Sequence, residues 1–466
     1  MKNLVGSKNR NTCNNSNNGA NIETIGVEPI PDKMRNMSAF TLLVMWLVAP
    51  ASASAPIIGF LLHNAGFYDF LFLILLSTLL GVVPGVIMTE MGRTIPLISV
   101  VTSRLTFGTG GSVLFSLLFS ILGLSWFAIS FDVGIDILRQ LLDLRASYLF
   151  ILMGITEFVL VLFGVRLMEK LYYFSASFFI IMYGYLTYYL ITRFGFTLPL
   201  GGKFLNWGND IDLLLTAGIL GWAYEFSTIS RFCQRLQSNE ESKSKILYML
   251  SPSIGVMIAI FFFGTVGMIS YNITGHWNIA LIGRSHSLFA TIAAFGLVLT
   301  IISHNAMNLY PAITKIVYVV NEIIAPHPLI QPSLALILTG FGTVLAMNNI
   351  LAHYETYLQV AGAMLFPFTF ILIVDWYTNE RYKIAWSDFA ITPGTRRGFF
   401  QRPAPLALLC FLLGAVLSFC QLKTSYWMLR YIPWEYCSSV LSGVTYYIGL
   451  KLLSHRNSIR APSQEV

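Results

Sequence analysis

Apolar residues fall in twelve runs along this chain, at approximately 39–62, 70–90, 112–138, 148–166, 171–192, 211–233, 246–271, 285–318, 333–347, 355–377, 404–421 and 433–453. Short stretches rich in Gly, Asn and charge separate them. About 20 apolar residues in a helix reach across the ~30 Å hydrocarbon core of a bilayer. In hydrocarbon only a helix or a closed barrel satisfies every backbone N–H and C=O, and runs this long exclude barrel strands. The pattern predicts an all-α integral membrane protein with about 12 transmembrane helices.

Two runs are interrupted. The first contains W-L-V-A-P-A-S-A-S-A-P-I-I-G (Trp46–Gly59), where Pro50 and Pro56 each remove a donor and clash with the preceding turn. The sixth is interrupted near Gly218, Gly221 and Trp222. The third and eighth runs are longer than a straight span needs. Runs 1–5 and 6–10 therefore read as an inverted repeat of five plus five helices, with helices 1 and 6 broken, followed by two C-terminal helices. The expected boundaries are a tail at 1–38, repeats at 39–192 and 211–377, helices 11 and 12 at 404–453, and a tail at 454–466. Paired broken helices in an inverted repeat place a binding site near the bilayer midplane.

Composition agrees: 55% of residues are apolar and only 11% charged. Of 29 Lys and Arg residues, placing residue 1 on the cytoplasmic side puts all but Arg139, Arg145, Arg193, Lys203, Arg284, Lys423 and Arg430 on that side. This asymmetry predicts a multi-pass cell-membrane protein with both termini cytoplasmic. The net charge of +7 is scattered singly between apolar runs, so no nucleic-acid partner is expected. The first ~35 residues are polar and lack the apolar core of a secretory signal. The five Cys have no metal-ligand spacing, and no His-rich or H-E-x-x-H motif supports an enzyme.

The connector G-R-T-I-P-L-I-S-V-V-T-S-R-L-T-F-G-T-G-G (Gly92–Gly111) is expected to anchor Arg93 and Arg104 at the headgroups. Its Gly92, Pro96, Ser103, Arg104, Phe107, Gly108 and Gly111 resemble the same loop of the nucleobase:cation symporter family. Three other stretches are similar to the purine–cytosine permease branch of that family: Ile22–Arg35, G-W-A-Y-E-F-S-T-I-S-R-F (Gly221–Phe232) and P-F-T-F-I-L-I-V-D-W-Y (Pro367–Tyr377). The resemblance implies a symporter importing a nucleobase or related small planar N-heterocycle, coupled to Na+ or H+ by alternating access, with no other cofactor. The lipid bilayer and the small-molecule substrate are the expected partners, and a monomer is expected.

Carried over by position, the resemblance implies that Trp126 on helix 3 and Trp222 on helix 6 stack on the two faces of the substrate ring. Gly221 lies at the helix 6 break and Ala53 of helix 1 faces the substrate. Ser130 stands where the family often has an amide; Asn305 and Asn308, in I-I-S-H-N-A-M-N-L-Y-P-A (Ile301–Ala312), are the amides expected at the substrate's edges. The sodium ligands implied are carbonyls near Ala49 and Ser52 with Thr300 and Ser303 of helix 8. His304 replaces a second hydroxyl, and imidazole is a poor ligand for a hard cation, so proton coupling through His304 gains weight. Glu225 departs from the family. It is a candidate for substrate contact or for carrying the proton, or it faces water or pairs with Arg231. Thr228 stands where the family has Asp. Lys315 is expected to snorkel to the interface. The alternatives are an amino-acid, amine or vitamin-type heterocycle carrier on the same fold, and a membrane protein with no transport role.

Overall fold

The computed structural model describes residues 27–51, 54–142, 144–195, 206–234, 242–282, 288–384, 404–421 and 431–460. The expected N-terminal tail up to residue 26, and with it Ser52 and Ala53, lies outside them. The first run forms α1 (Ala39–Ala51) and α2 (Ser54–Leu61), bent by 44° relative to each other. α3 (Phe67–Thr94) is the second span. A short α4 (Ser99–Thr102) precedes α5 (Arg104–Leu141), α6 (Ala146–Leu162) and α7 (Gly164–Phe194). The sixth run divides into α8 (Trp207–Ala217) and α9 (Ile219–Ser230). α10 (Ser242–Ala259) and α11 (Thr265–Thr274) form one span through a π-helical turn at Ile260–Gly264. A short α12 (Ile279–Ile282) leads to α13 (Leu288–Ile323), α14 (Ile330–Ala346) and α15 (Tyr354–Thr378). The last two runs form α16 (Pro405–Gln421) and α17 (Trp434–Arg460).

Each apolar run thus becomes a helix or a broken helix pair, and the two broken pairs open successive groups of five. The long third and eighth runs are α5, with 38 residues, and α13, with 36. They pack along one another at the centre, with α1, α7 and α14 against α13. The helix expected to end at residue 453 continues to Arg460.

Close backbone packing seats the first broken helix. A Cβ on Gly59 of α2 would lie 1.8 Å from the Gly264 carbonyl oxygen in the π-turn. Without a hydrophobic drive between helices in lipid, such small-residue approaches are a main source of association. The glycine closing the Trp46–Gly59 stretch is therefore explained by its contact with the seventh span.

The Gly92–Gly111 connector departs from expectation. Arg93 and Arg104 are buried instead of resting at headgroups. Arg93 donates from Nε to the Gln234 carbonyl (3.2 Å), and its guanidinium lies 4.2 Å from the Tyr248 ring centroid. Arg104 pairs with Glu322 and donates from Nε to the Tyr318 hydroxyl (2.9 Å). Arg93 is covered by Tyr248 and the docked Arg35 segment, and beyond Arg104 the chain bends at Gly108 (φ 75°), a conformation that favours glycine.

Residues 27–38, expected as tail, also dock there. Ile30 N–H donates to the Pro96 carbonyl and Met37 N–H to the Phe232 carbonyl, both at 3.1 Å. Arg35 donates to the carbonyls of Arg93 (2.5 Å) and Arg231 (3.0 Å). One guanidinium thereby caps the C-terminal ends of α3 and α9, where a cation meets the negative end of each helix dipole.

Candidate substrate and cation site

The helix 6 break lies at Gly218, whose backbone (φ −102°, ψ −133°) is neither helical nor extended and separates α8 from α9. Gly221 and Trp222, expected within the break, instead lie in the first turn of α9. Gly221 serves the break from there: a Cβ on it would lie 1.7 Å from the Thr216 carbonyl oxygen. The freed Ala217 carbonyl accepts a hydrogen bond from Trp222 Nε1 (3.3 Å), which fixes the indole at the break.

Trp222 is the centre of an aromatic cluster. Its ring stacks on Trp126 of α5 at a centroid distance of 5.4 Å and an interplanar angle of 26°. Trp46 of α1 meets it edge-on at 5.6 Å, and the His304 ring of α13 does so at 5.9 Å. Tyr354 and Tyr357 of α15 close on Trp126 from the other side, at 5.8 and 5.2 Å. Five elements thus bring aromatic rings together in one cluster, all of them largely buried.

Two aromatic planes holding a third between them need about 7 Å, twice the ~3.5 Å contact distance of carbon atoms. At 5.4 Å the tryptophans touch each other. The expected sandwich is closed on itself in this arrangement, and a flat ring enters only if the indoles part by about 2 Å.

Around the indoles, polar atoms are buried without partners. Ser130 lies one turn beyond Trp126 on α5, and its hydroxyl has none; nor do Trp46 Nε1 and Asn308 Oδ1. Asn308 Nδ2 and His304 Nε2 lie 3.1 Å apart across one turn of α13, so the ring nitrogen accepts and the amide donates. His304 and Asn308 therefore share the face of α13 turned to Trp222. Asn305 points elsewhere, toward the Glu157 carboxyl of α6.

The expected sodium ligands are only partly gathered. Thr300 donates its hydroxyl to the Gly296 carbonyl (3.0 Å). Ser303 donates to the Leu299 carbonyl (3.0 Å) and receives a hydrogen bond from Ser175 of α7 (2.6 Å). Ala49 is buried in the last turn of α1, which packs on α13.

Glu225 neither faces water nor pairs with Arg231. It forms a buried ion pair with Lys315 of α13, whose ammonium lies 4.8 Å from the Tyr224 ring centroid. Lys315 therefore does not snorkel. A neutralising carboxylate inside the bundle holds it. Arg231 donates instead to the Tyr310 hydroxyl (3.2 Å), and Thr228 meets Ser99 of α4 at 3.3 Å.

Sequence reasoning missed two residues. Trp46 was visible as the only tryptophan of the interrupted first run, and Glu157 as a lone carboxylate within the fourth run, which by itself marks a functional candidate.

This arrangement has solved counterparts. Mhp1, a nucleobase-cation-symport-1 family transporter in a closed conformation with bromovinylhydantoin bound, matches with a TM-score of 0.78 at 16% identity, over 93% of this chain and 96% of that one. The inward-facing conformation of Mhp1 matches at 0.74 and 17% identity, over 93% and 95%. A Na+-coupled sialic acid symporter in a substrate-bound outward-open state matches at 0.62 and 10% identity, over 90% and 92%. These likenesses establish the transporter fold. No curated protein matches in sequence. The sequence profile described as permease for cytosine/purines, uracil, thiamine, allantoin matches residues 29–444, most of the chain. The chain is a multi-pass membrane permease, not an enzyme, and belongs to this cytosine/purine permease family.

Proposed function

We propose that this permease is a symporter that imports a small planar N-heterocycle of the nucleobase class, driven by protons. The observation that carries the substrate reading is the Trp126–Trp222 pair at the helix 6 break, with unpartnered polar atoms on Ser130, Asn308 and Trp46 beside it. Two indoles provide stacking area without charge. Isolated hydroxyl and amide groups then select a ring edge by hydrogen bonding, since leaving them unpaired in a dry site costs about 1–3 kcal/mol each. A flexible, uncharged aliphatic substrate gains little from two stacking faces beyond its buried area.

The preference for protons rests on α13. The hydroxyls of Thr300 and Ser303 already donate to carbonyls of their own helix. Where a second hydroxyl would complete an oxygen cage, the His304 imidazole sits against Trp222. A hydroxyl that donates its proton keeps lone pairs for a cation, but a hard cation prefers oxygen and the imidazole is a poor substitute for the second hydroxyl. The excess of Lys and Arg on one side supports cytoplasmic termini. The protein works as a monomer, with 39–192 and 211–377 as its two repeats.

A thermal-shift screen of the purified protein tests the substrate reading. Cytosine, uracil, hypoxanthine, allantoin, a hydantoin and thiamine form one arm, and amino acids, amines and sialic acid the other. Stabilisation by a member of the first arm, lost in Trp222→Ala, is expected. Stabilisation confined to the second arm overturns the reading.

A further inference from the structure

Three polar side chains from three helices meet behind the aromatic site, where none of the steps above uses them. Glu157 of α6 is fully buried, as are Asn305 of α13 and, nearly so, Tyr172 of α7. The Glu157 carboxyl faces the Asn305 amide and lies within electrostatic reach of the Tyr172 phenol. Both carboxyl oxygens, both polar atoms of the amide and the phenolic oxygen lack a well-formed hydrogen bond to any other protein group.

Among the described residues no counter-charge acts on Glu157. α6 packs against α5, α7, α13 and α14. From α7 the Tyr172 phenol lies near the carboxyl, and from α13 the uncharged Asn305. α14 carries no ionisable residue. On α5, Asp132 and Asp136 act on each other and on Arg139, not on Glu157. The other charges of α5 and α13 are engaged elsewhere, Lys315 with Glu225 and Arg104 with Glu322.

A carboxylate in such a place costs several kcal/mol and takes up a proton instead. Donor and acceptor counts point the same way. A carboxylate only accepts and would leave the Asn305 carbonyl without a donor. A carboxylic acid donates its O–H to that carbonyl and accepts from the amide N–H or the phenol. Protonation adds the one donor that this acceptor-rich trio gains from the carboxyl itself.

We propose that Glu157, framed by Asn305 and Tyr172, is the group that binds the transported proton in this permease. This rests on the proton-driven reading above and gives it a residue. In the closed arrangement Glu157 is a neutral acid. When alternating access brings water to the trio, the O–H bond breaks, its electron pair stays on the carboxyl oxygen, and the proton leaves as hydronium. The link to substrate is α13. Asn305 follows directly after His304, whose ring packs on Trp222, and the Ser175–Ser303 bond ties α7 to the same stretch of helix.

Infrared spectroscopy of the purified protein at neutral pH reads the proton without any substrate. The wild type is expected to show a carboxylic-acid carbonyl band that Glu157→Gln lacks. Tyr172→Phe keeps the band and shifts its pH midpoint. Identical spectra for the wild type and Glu157→Gln, or a midpoint unmoved by Tyr172→Phe, overturn the proposal. In proteoliposomes with radiolabelled cytosine as probe, Glu157→Gln is expected to retain cytosine exchange and lose at least 10-fold in accumulation driven by a pH gradient. Unaltered accumulation overturns the proposal too. If the wild type moves no cytosine, that result counts against the nucleobase reading, and the infrared result alone decides the role of Glu157.

Discussion

Removing either partner of the Glu225–Lys315 pair is expected to destabilise the protein strongly, and removing both is not. The side chains are 5% and 1% exposed. Breaking a buried pair strands one charge and costs about 3–5 kcal/mol, whereas replacing both ions with apolar groups of similar volume is close to neutral. The two single losses differ for a structural reason. In Glu225→Met the ammonium keeps the Tyr224 ring, 4.8 Å away, and a desolvated cation–π contact offsets about 2 kcal/mol. That variant therefore lies near the lower bound, about 3 kcal/mol. In Lys315→Met no cation remains beside Glu225, and the cost lies near 5 kcal/mol. The double variant is expected within about 1 kcal/mol of wild type, where additivity would give a loss of about 8 kcal/mol. Denaturation of the detergent-solubilised protein with dodecyl sulfate, followed by tryptophan fluorescence, measures all four. Additive single losses, or a Lys315→Met variant as stable as wild type, refute the reasoning. The double variant also separates structure from transport. If it still binds heterocycle, Glu225 holds Lys315 and is not a substrate ligand.

Other perturbations follow from the same geometry. Trp222→Ala removes one stacking face and is expected to weaken heterocycle binding by about 1–3 kcal/mol, roughly 5- to 150-fold, measured by equilibrium binding. Trp126→Ala should lose a similar amount. Arg35→Ala removes two charge-assisted hydrogen bonds to helix-terminal carbonyls, an expected loss of about 3 kcal/mol. Arg35→Lys should restore it only in part, because an ammonium cannot present the same planar fork; dodecyl sulfate denaturation reads both. Gly221→Ala should abolish recovery of monodisperse protein, since its methyl would lie 1.7 Å from the Thr216 carbonyl oxygen. Gly184→Ala, with nothing within 4 Å of its Cβ, should leave recovery on size-exclusion chromatography unchanged.

Hydropathy showed the number and order of the helices because each span must satisfy its own backbone in lipid. The interrupted runs gave away both breaks for the same reason, as prolines and glycines at membrane depth are seldom neutral. Site residues on one helix face, such as His304 and Asn308, were also legible, since residues four apart on a helix are neighbours. What stayed hidden depends on pairings across the fold. Nothing near Glu225 in the chain identifies Lys315, 90 residues away, so the carboxylate read as a free functional group. Arg93 and Arg104 read as headgroup anchors because their partners, Tyr248 and Glu322, lie more than 150 residues away in the chain. Asn305 and Asn308 looked equivalent as two amides. Only the rotation of α13 turns one toward Glu157 and leaves the other beside His304. The helix 6 break could be located no better than a few residues, because Gly218 and Gly221 are both glycines, one at the non-helical break and the other cradling a carbonyl.

The most direct test of the central claim is uptake into proteoliposomes of a radiolabelled panel of cytosine, uracil, hypoxanthine and allantoin. An inward proton gradient and an inward sodium gradient are imposed separately. The account predicts accumulation of at least one panel member above its equilibrium level under the proton gradient, abolished by an uncoupler and reduced by Trp222→Ala, with no response to sodium. Accumulation driven by sodium alone and indifferent to the uncoupler would contradict it.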